Sequence, residues 1–101
     1  MSFLFDWDEA NAAHIAEHDV TPAEAEEVIC NHPIDLEHQT RNGEERLMQI
    51  GTTLSGRFLV VITTLRGLKT RVVTAYGANR AYRAFYSAQK ERMDHGETNS
   101  S

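Results

Sequence analysis

Arginine suits the holding of phosphate, because its planar fork meets two anionic oxygens at once. Three arginines stand where patterned segments begin or pair. Arg57 heads the apolar run Phe58–Leu65, Arg71 sits in the next β-patterned run, and Arg80 opens the last helical one. Arg80 can also draw on a helix N-terminus, which itself attracts phosphate. Arg46, Arg66, Lys69 and Arg83 add positive charge in the same stretch. Such a set can hold an anion and stabilise charge developing on it. The plainer alternative is a scatter of solvated surface cations.

Tyr76 can donate a hydrogen bond or offer a ring. It becomes a proton donor only where a nearby arginine lowers its pKa from about 10; the ordinary reading is a strand-end tyrosine packing its ring. His14 and His18 are four apart and face the same way on a helix, the spacing of a two-histidine metal site. The glutamate of the helical zinc-protease motif is missing, since Ile15 follows His14. His32 and His38 are possible further ligands, but one cysteine gives no zinc pattern. Packing histidines are the reading preferred here, with His18 as a general acid or base a third one. Glu44 and Glu45 can set a carboxylate opposite a basic strand, or simply salt-bridge Arg46 across a hairpin.

These residues must be positioned by a chain of 101 residues, which is one domain's length. The net charge of −5 argues against a nucleic-acid binder until its distribution is read. Residues 1–40 contain ten acids and no Lys or Arg, while residues 41–92 contain all ten Lys and Arg against Glu44, Glu45 and Glu91. Either the two parts neutralise each other in the fold, or the basic part meets an anionic partner. No run reaches the roughly 18 apolar residues of a membrane span. The N-terminus lacks signal-peptide character, and the single Cys30 cannot form an internal disulfide, so a cytoplasmic location is expected.

The elements read in order. Asp6 or Asp8 caps a first helix to about His18. Thr21-Pro22-Ala23-Glu24 is a capping box with proline at the first helical position, and Ala25, Val28 and Ile29 form the buried side of that second helix. Pro33 closes it. Ile34–His38, Arg46–Gly51, Phe58–Leu65 and Lys69–Tyr76 read as strands joined by tight turns, one of them Asn42-Gly43. Simple alternation puts Lys69, Arg71, Val73 and Ala75 on one face of the fourth strand, and Thr70, Val72, Thr74 and Tyr76 on the other. Asn79 caps a last helix to about Met93, with Tyr82, Phe85, Tyr86 and Met93 as its apolar side; His95–Ser101 is a polar tail. Two helices, a four-stranded antiparallel meander and a C-terminal helix make an α+β domain over residues 1–94.

In that order the chain resembles the BrnT family of bacterial toxins, which share the RelE-type fold. The resemblance rests on Phe5-Asp6-Trp7-Asp8-Glu9, on His18-Asp19-Val20 with Thr21–Val28, and on Asn42-Gly43-Glu44-Glu45-Arg46. It continues through Ile50-Gly51-Thr52, Gly56–Val61, Arg71–Ala75 and the helix through Tyr86. It implies a type II toxin that cleaves RNA without metal or other cofactor. It further implies a small ribbon-helix-helix antitoxin, BrnA-like, as partner, with operator DNA bound only through the toxin–antitoxin complex and no membrane association. Metal-free cleavage requires that the 2′-hydroxyl lose a proton, that phosphorane charge be stabilised and that the 5′-oxygen gain a proton. Arg57, Arg71, Arg80, Tyr76 and His18 are the expected catalytic set, and Arg46, Arg66, Lys69 and Arg83 the expected RNA-binding set. Trp7 and Phe3/Phe5 read as core, or as an edge that the antitoxin covers, and Cys30 as a buried small residue.

Three positions depart from the family pattern. Tyr76 replaces a frequent arginine, Tyr82 a usual glutamate, and Asn11 lies near the place of a usual lysine. They motivate an alternative, a non-catalytic relative that keeps antitoxin binding and transcriptional autoregulation. A metal-dependent enzyme built on the histidines is the third reading.

Overall fold

A computed structural model of the chain describes residues 4–99; Phe3, Ser100 and Ser101 lie outside them. Helix α1 spans Glu9–Ala16 and α2 spans Pro22–Cys30. Both begin in reciprocal capping boxes. The Asp8 carboxylate accepts from the Asn11 N–H at 2.9 Å while the Asn11 side-chain oxygen accepts from the Asp8 N–H at 2.7 Å. Thr21 and Glu24 make the same exchange at 3.1 and 3.0 Å. Such caps contribute about 1 kcal/mol each. α1 ends at Ala16, short of His18, with Glu17 as its C-cap. Only Ile15 among its apolar residues is buried.

Four strands follow: β1 Ile34–Arg41, β2 Glu44–Thr52, β3 Phe58–Arg66 and β4 Lys69–Gly77. They form one antiparallel sheet in the order β1-β2-β3-β4. Asn42 and Gly43 both adopt positive φ (51° and 79°), as a two-residue hairpin of this kind requires. α3 spans Arg80–Asn99, beyond the expected end near Met93.

Helices cover both faces of the sheet, each over one part only. On one face Ile15, Val20, Ala25, Val28 and Ile29 of the α1–α2 region pack on Leu59, Val61, Val72 and Ala75. On the other, Tyr82 and Tyr86 of α3 pack over Met48, Ile50 and Val60, joined by Ile34, Ile62 and Tyr76. Phe85 and Met93 are 39% and 51% exposed, so they do not belong to that apolar side. Gly51 permits the close seat of α2: a Cβ there would stand 3.0 Å from Val28 Cγ1 and 3.3 Å from Pro33 Cβ.

β4 departs from simple alternation. Ile62 pairs with Thr74 and Thr63 with Val72, so Val73 is an extra, bulged residue. One inserted residue exchanges the faces beyond it. Val72 and Ala75 therefore share the α1–α2 face, both buried there, while Tyr76 joins the α3 face. The expected grouping is corrected: Lys69 and Arg71 lie on the face of Thr74 and Tyr76. A second register shift, between Asp35 and Glu37, lies in β1.

The segment before α1 runs along the outer edge of β4. Phe5 bridges Thr70 in parallel, with Thr70 N–H donating to the Leu4 carbonyl at 2.7 Å and Asp6 N–H to the Thr70 carbonyl at 2.9 Å. Phe5 and Trp7 are partly buried against the core, and the Trp7 indole N–H donates to Glu26 at 2.7 Å. This strap covers an edge that would otherwise offer unpaired backbone groups. Cys30, expected to be buried, is exposed, because it ends α2 outside the packed face.

Candidate nucleic-acid interface

The register aligns a row across the sheet on the α3 face. Gln39 opposes Arg46, Arg46 opposes Thr64, and Thr64 opposes Arg71. The next row, at the two hairpin ends, carries Arg41 opposite Glu44 and Arg66 opposite Lys69. Arg46, Arg66 and Arg71 line a small concavity of about 190 Å3 with Asn11, Glu44 and Thr64. Thr64 is buried between the two arginines of its row, its hydroxyl donating to the Glu45 carbonyl at 2.8 Å. Opposed like charges on a strand pair are destabilising. Arg66 faces Lys69 directly, so an anion over this end would relieve repulsion already present.

Two arginines of the expected set are engaged by acids from the first forty residues. Arg71 Nη2 is 2.9 Å from Asp8 and its Nη1 3.7 Å from Asp6. Arg57 Nη1 is 2.8 Å from Glu24 and also donates to the Asp19 carbonyl at 2.9 Å. The Asn11 backbone N–H first, and then Arg71, hold the Asp8 carboxyl below the ordinary aspartate value. Arg57 first, and then the Thr21 backbone N–H, lower that of Glu24. Arg46 pairs with Glu44 at 2.9 Å, the hairpin bridge expected from their spacing. Among the described residues no carboxylate lies within ion-pair distance of Arg41, Arg66, Lys69, Arg80 or Arg83. The charge asymmetry is thus partly neutralised internally and partly left facing outward.

A second group lies further along β4. Tyr76 opposes Val60, four residues along β3 from the partner of Arg71, or about 13 Å at ~3.3 Å per residue. The His18 ring stands edge-on to Tyr76 at 6.1 Å between centroids, and His14 to His18 at 5.7 Å. Burial pushes the Tyr76 hydroxyl above its ordinary pKa, and Tyr82 adds to the shift. That is the opposite of the lowering a tyrosine proton donor needs. Arg57 approaches this end through its bond to Asp19, the residue after His18, and Arg80 opens α3 beside it. Asn79 accepts from the Tyr82 N–H at 2.9 Å, and Arg83 lies over the Phe58 ring at 5.3 Å. The sheet therefore brings Arg46, Arg66, Lys69 and Arg71 to one end, and His18 and Tyr76 together nearer the other. It does not join Arg57, Arg80 or Arg83 to the first group.

Asn11, Thr64, Asp6 and Asp8 are participants that sequence reasoning did not assign. Asn11 is buried, and its side-chain amide donates to the Val72 carbonyl at 3.1 Å, beside the bulge. Its spacing from Asp8 as a capping pair was the available signal. The histidines gather no metal cage: among the described residues no three His, Cys, Asp or Glu side chains converge.

The opposite face is chemically different. Beyond α2 the sheet floors a cavity of about 660 Å3, with Leu47, Thr63 and Leu65 below and Ile29, Cys30 and Pro33 as a wall. Leu65 is 73% exposed. No helix among the described residues is long and apolar enough to cross a membrane.

The model of one protein family, described as the ribonuclease toxin BrnT of type II toxin–antitoxin systems, matches residues 7–81. No curated protein matches the chain. The matched span runs from Trp7 through α1, α2 and the whole sheet to the first turn of α3, and so contains both groups except Tyr82 and Arg83. The chain accordingly belongs to the BrnT family of ribonuclease toxins of type II toxin–antitoxin systems.

Proposed function

We propose that RNA crosses the α3 face of the sheet and is cut there without a metal ion. The observation that carries this is the cation group at the hairpin ends, where Arg66 and Lys69, without an ion pair among the described residues, oppose each other beside Arg46 and Arg71. Phosphate is the anion those forks fit. Because that group and Tyr76, against which the His18 ring stands, are about 13 Å apart along the sheet, they serve different parts of one strand. Arg46, Arg66, Lys69 and Arg71 hold a flanking phosphate. His18 moves the proton at the scissile linkage, Tyr76 offers a neutral hydroxyl and ring to the neighbouring base, and Arg80 stabilises charge on the phosphorane. In the step, the 2′-oxygen bonds to phosphorus as its proton leaves, and the phosphorus–5′-oxygen bond breaks as that oxygen is protonated. Arg57 is held by Glu24 and contributes by fixing the turn that carries His18.

The test is cleavage of RNA by antitoxin-free protein in EDTA. Wild type is expected to cut. Arg46→Ala/Arg66→Ala is expected to raise KM at least tenfold with little change in kcat, since uniform binding is lost. His18→Ala is expected to lower kcat by about 10²–10⁴. Loss of cutting on chelation, or equal kinetics in all variants, would overturn the reading. Binding without cutting by wild type would favour the non-catalytic alternative, which the raised Tyr76 pKa supports, as does the lack, among the described residues, of an arginine bonded to Tyr76.

The type II partner is an antitoxin. A BrnA-like ribbon-helix-helix protein that neutralises the toxin and carries the complex to operator DNA is the proposed form. The apolar cavity beyond α2 suits one of its segments. Glu45 lines it beside Arg46, and the neighbouring α1, α2 and strap contain no Lys or Arg. An amphipathic segment with apolar anchors and cationic flanks is the complement.

A further inference from the structure

Arg71 is the least accessible cation of its group, its side chain only 16% exposed. What covers it is the strap: Asp8 at 2.9 Å and Asp6 at 3.7 Å. The two Asp8 oxygens are divided between tasks. Oδ1 caps α1 through the Asn11 N–H, and Oδ2 receives Arg71. Arg71 can leave Asp8 without uncapping the helix. Two of the three arginines in the concavity thus carry carboxylates, Glu44 on Arg46 and the aspartates on Arg71, whereas Arg66 carries none. An anion entering there meets Arg66 first and must compete for Arg71.

We propose that Asp6 and Asp8 are specificity-determining residues of the RNA site, occupying Arg71 until a phosphodiester takes the guanidinium from them. This rests on the reading that RNA crosses the α3 face. A phosphodiester bound by Arg66 and Arg46 already sits beside Arg71 and offers it two oxygens. A carboxylate ligand offers only what the aspartates already supply, so it gains nothing by exchange. The pair sets a threshold that phosphate polymers pass and polycarboxylates do not.

The test is binding, read by fluorescence anisotropy, of two probes: a short 2′-O-methyl RNA, which lacks the nucleophile, and poly-L-glutamate. Wild type is compared with Asp6→Asn/Asp8→Asn, in which the amide oxygen introduced by Asp8→Asn can keep the helix cap. Glu9→Gln/Glu17→Gln controls for the same change of charge away from Arg71. The Asp variant is expected to bind RNA about three- to tenfold more tightly than this control at low salt, with the advantage shrinking as salt rises. It is also expected to acquire polyglutamate binding that the control lacks, and Arg71→Ala should abolish both gains. Equal binding by the Asp variant and the control would overturn the proposal, as would gains that survive Arg71→Ala. If wild-type binding depends on Arg46 and Arg66 but not on the aspartates, the gate fails and the RNA face stands. If no variant binds RNA, both fail. Asp6→Asn alone, which leaves the cap untouched, gives the same reading should the double variant unfold.

Discussion

Asn11 shows how much one side chain can hold. Its backbone and carbonyl complete the α1 capping box, and its amide satisfies the buried Val72 carbonyl. Asn11→Ala removes half the box and leaves that carbonyl without its partner, which together cost about 2 kcal/mol. Urea unfolding should register this as a lower midpoint at unchanged slope; an unchanged midpoint would mean that water replaces the amide. The Asn11 side chain is turned into the fold, where it serves both α1 and β4.

At the scale of elements, the bulge at Val73 decides which chemistry shares a face. Without it, Arg71 and Tyr76 would lie on opposite sides of the sheet, and Val72 or Ala75 would leave the core. Deleting Val73 takes out the inserted residue itself: Val72 and Thr74 become neighbours, and Arg71, Val72, Ala75 and Tyr76 keep their faces. The deletion should therefore leave the fold and RNA binding in place, and Val73→Ala should do the same. Thermal melts and RNA titration check both. Local signals made much of this architecture readable: the Thr21–Glu24 box, the Asn-Gly turn, the β-branched run of β3 and the meander order depend on neighbours in sequence. The bulge depends on two packed faces claiming Val72 and Ala75 at once, and the clamp on Arg71 joins residues 63 apart, so neither has a local signature. The exposure of Cys30 and Phe85 escapes a local reading for a related reason. An apolar residue's type does not say on which side of its helix the sheet will lie.

The whole molecule presents two unlike surfaces. Its helices cover only part of each sheet face, leaving cations on the α3 side of the hairpin ends and the Leu47–Leu65 cavity on the other. Exposed contiguous apolar surface marks protein interfaces. Leu65→Asp should leave the stability and RNA cleavage of the isolated protein near wild type, since Leu65 is already 73% exposed. In cells the variant should remain toxic while its antitoxin no longer rescues growth. Full rescue would move the antitoxin interface elsewhere. The opposed surfaces also bear on how the protein meets RNA. Acids gathered on the α1–α2 side and cations at the far side of the sheet give the molecule an electric dipole despite its net charge of −5. In the field of a polyanion such a body rotates before it touches, so a larger share of collisions begins with the arginines in front.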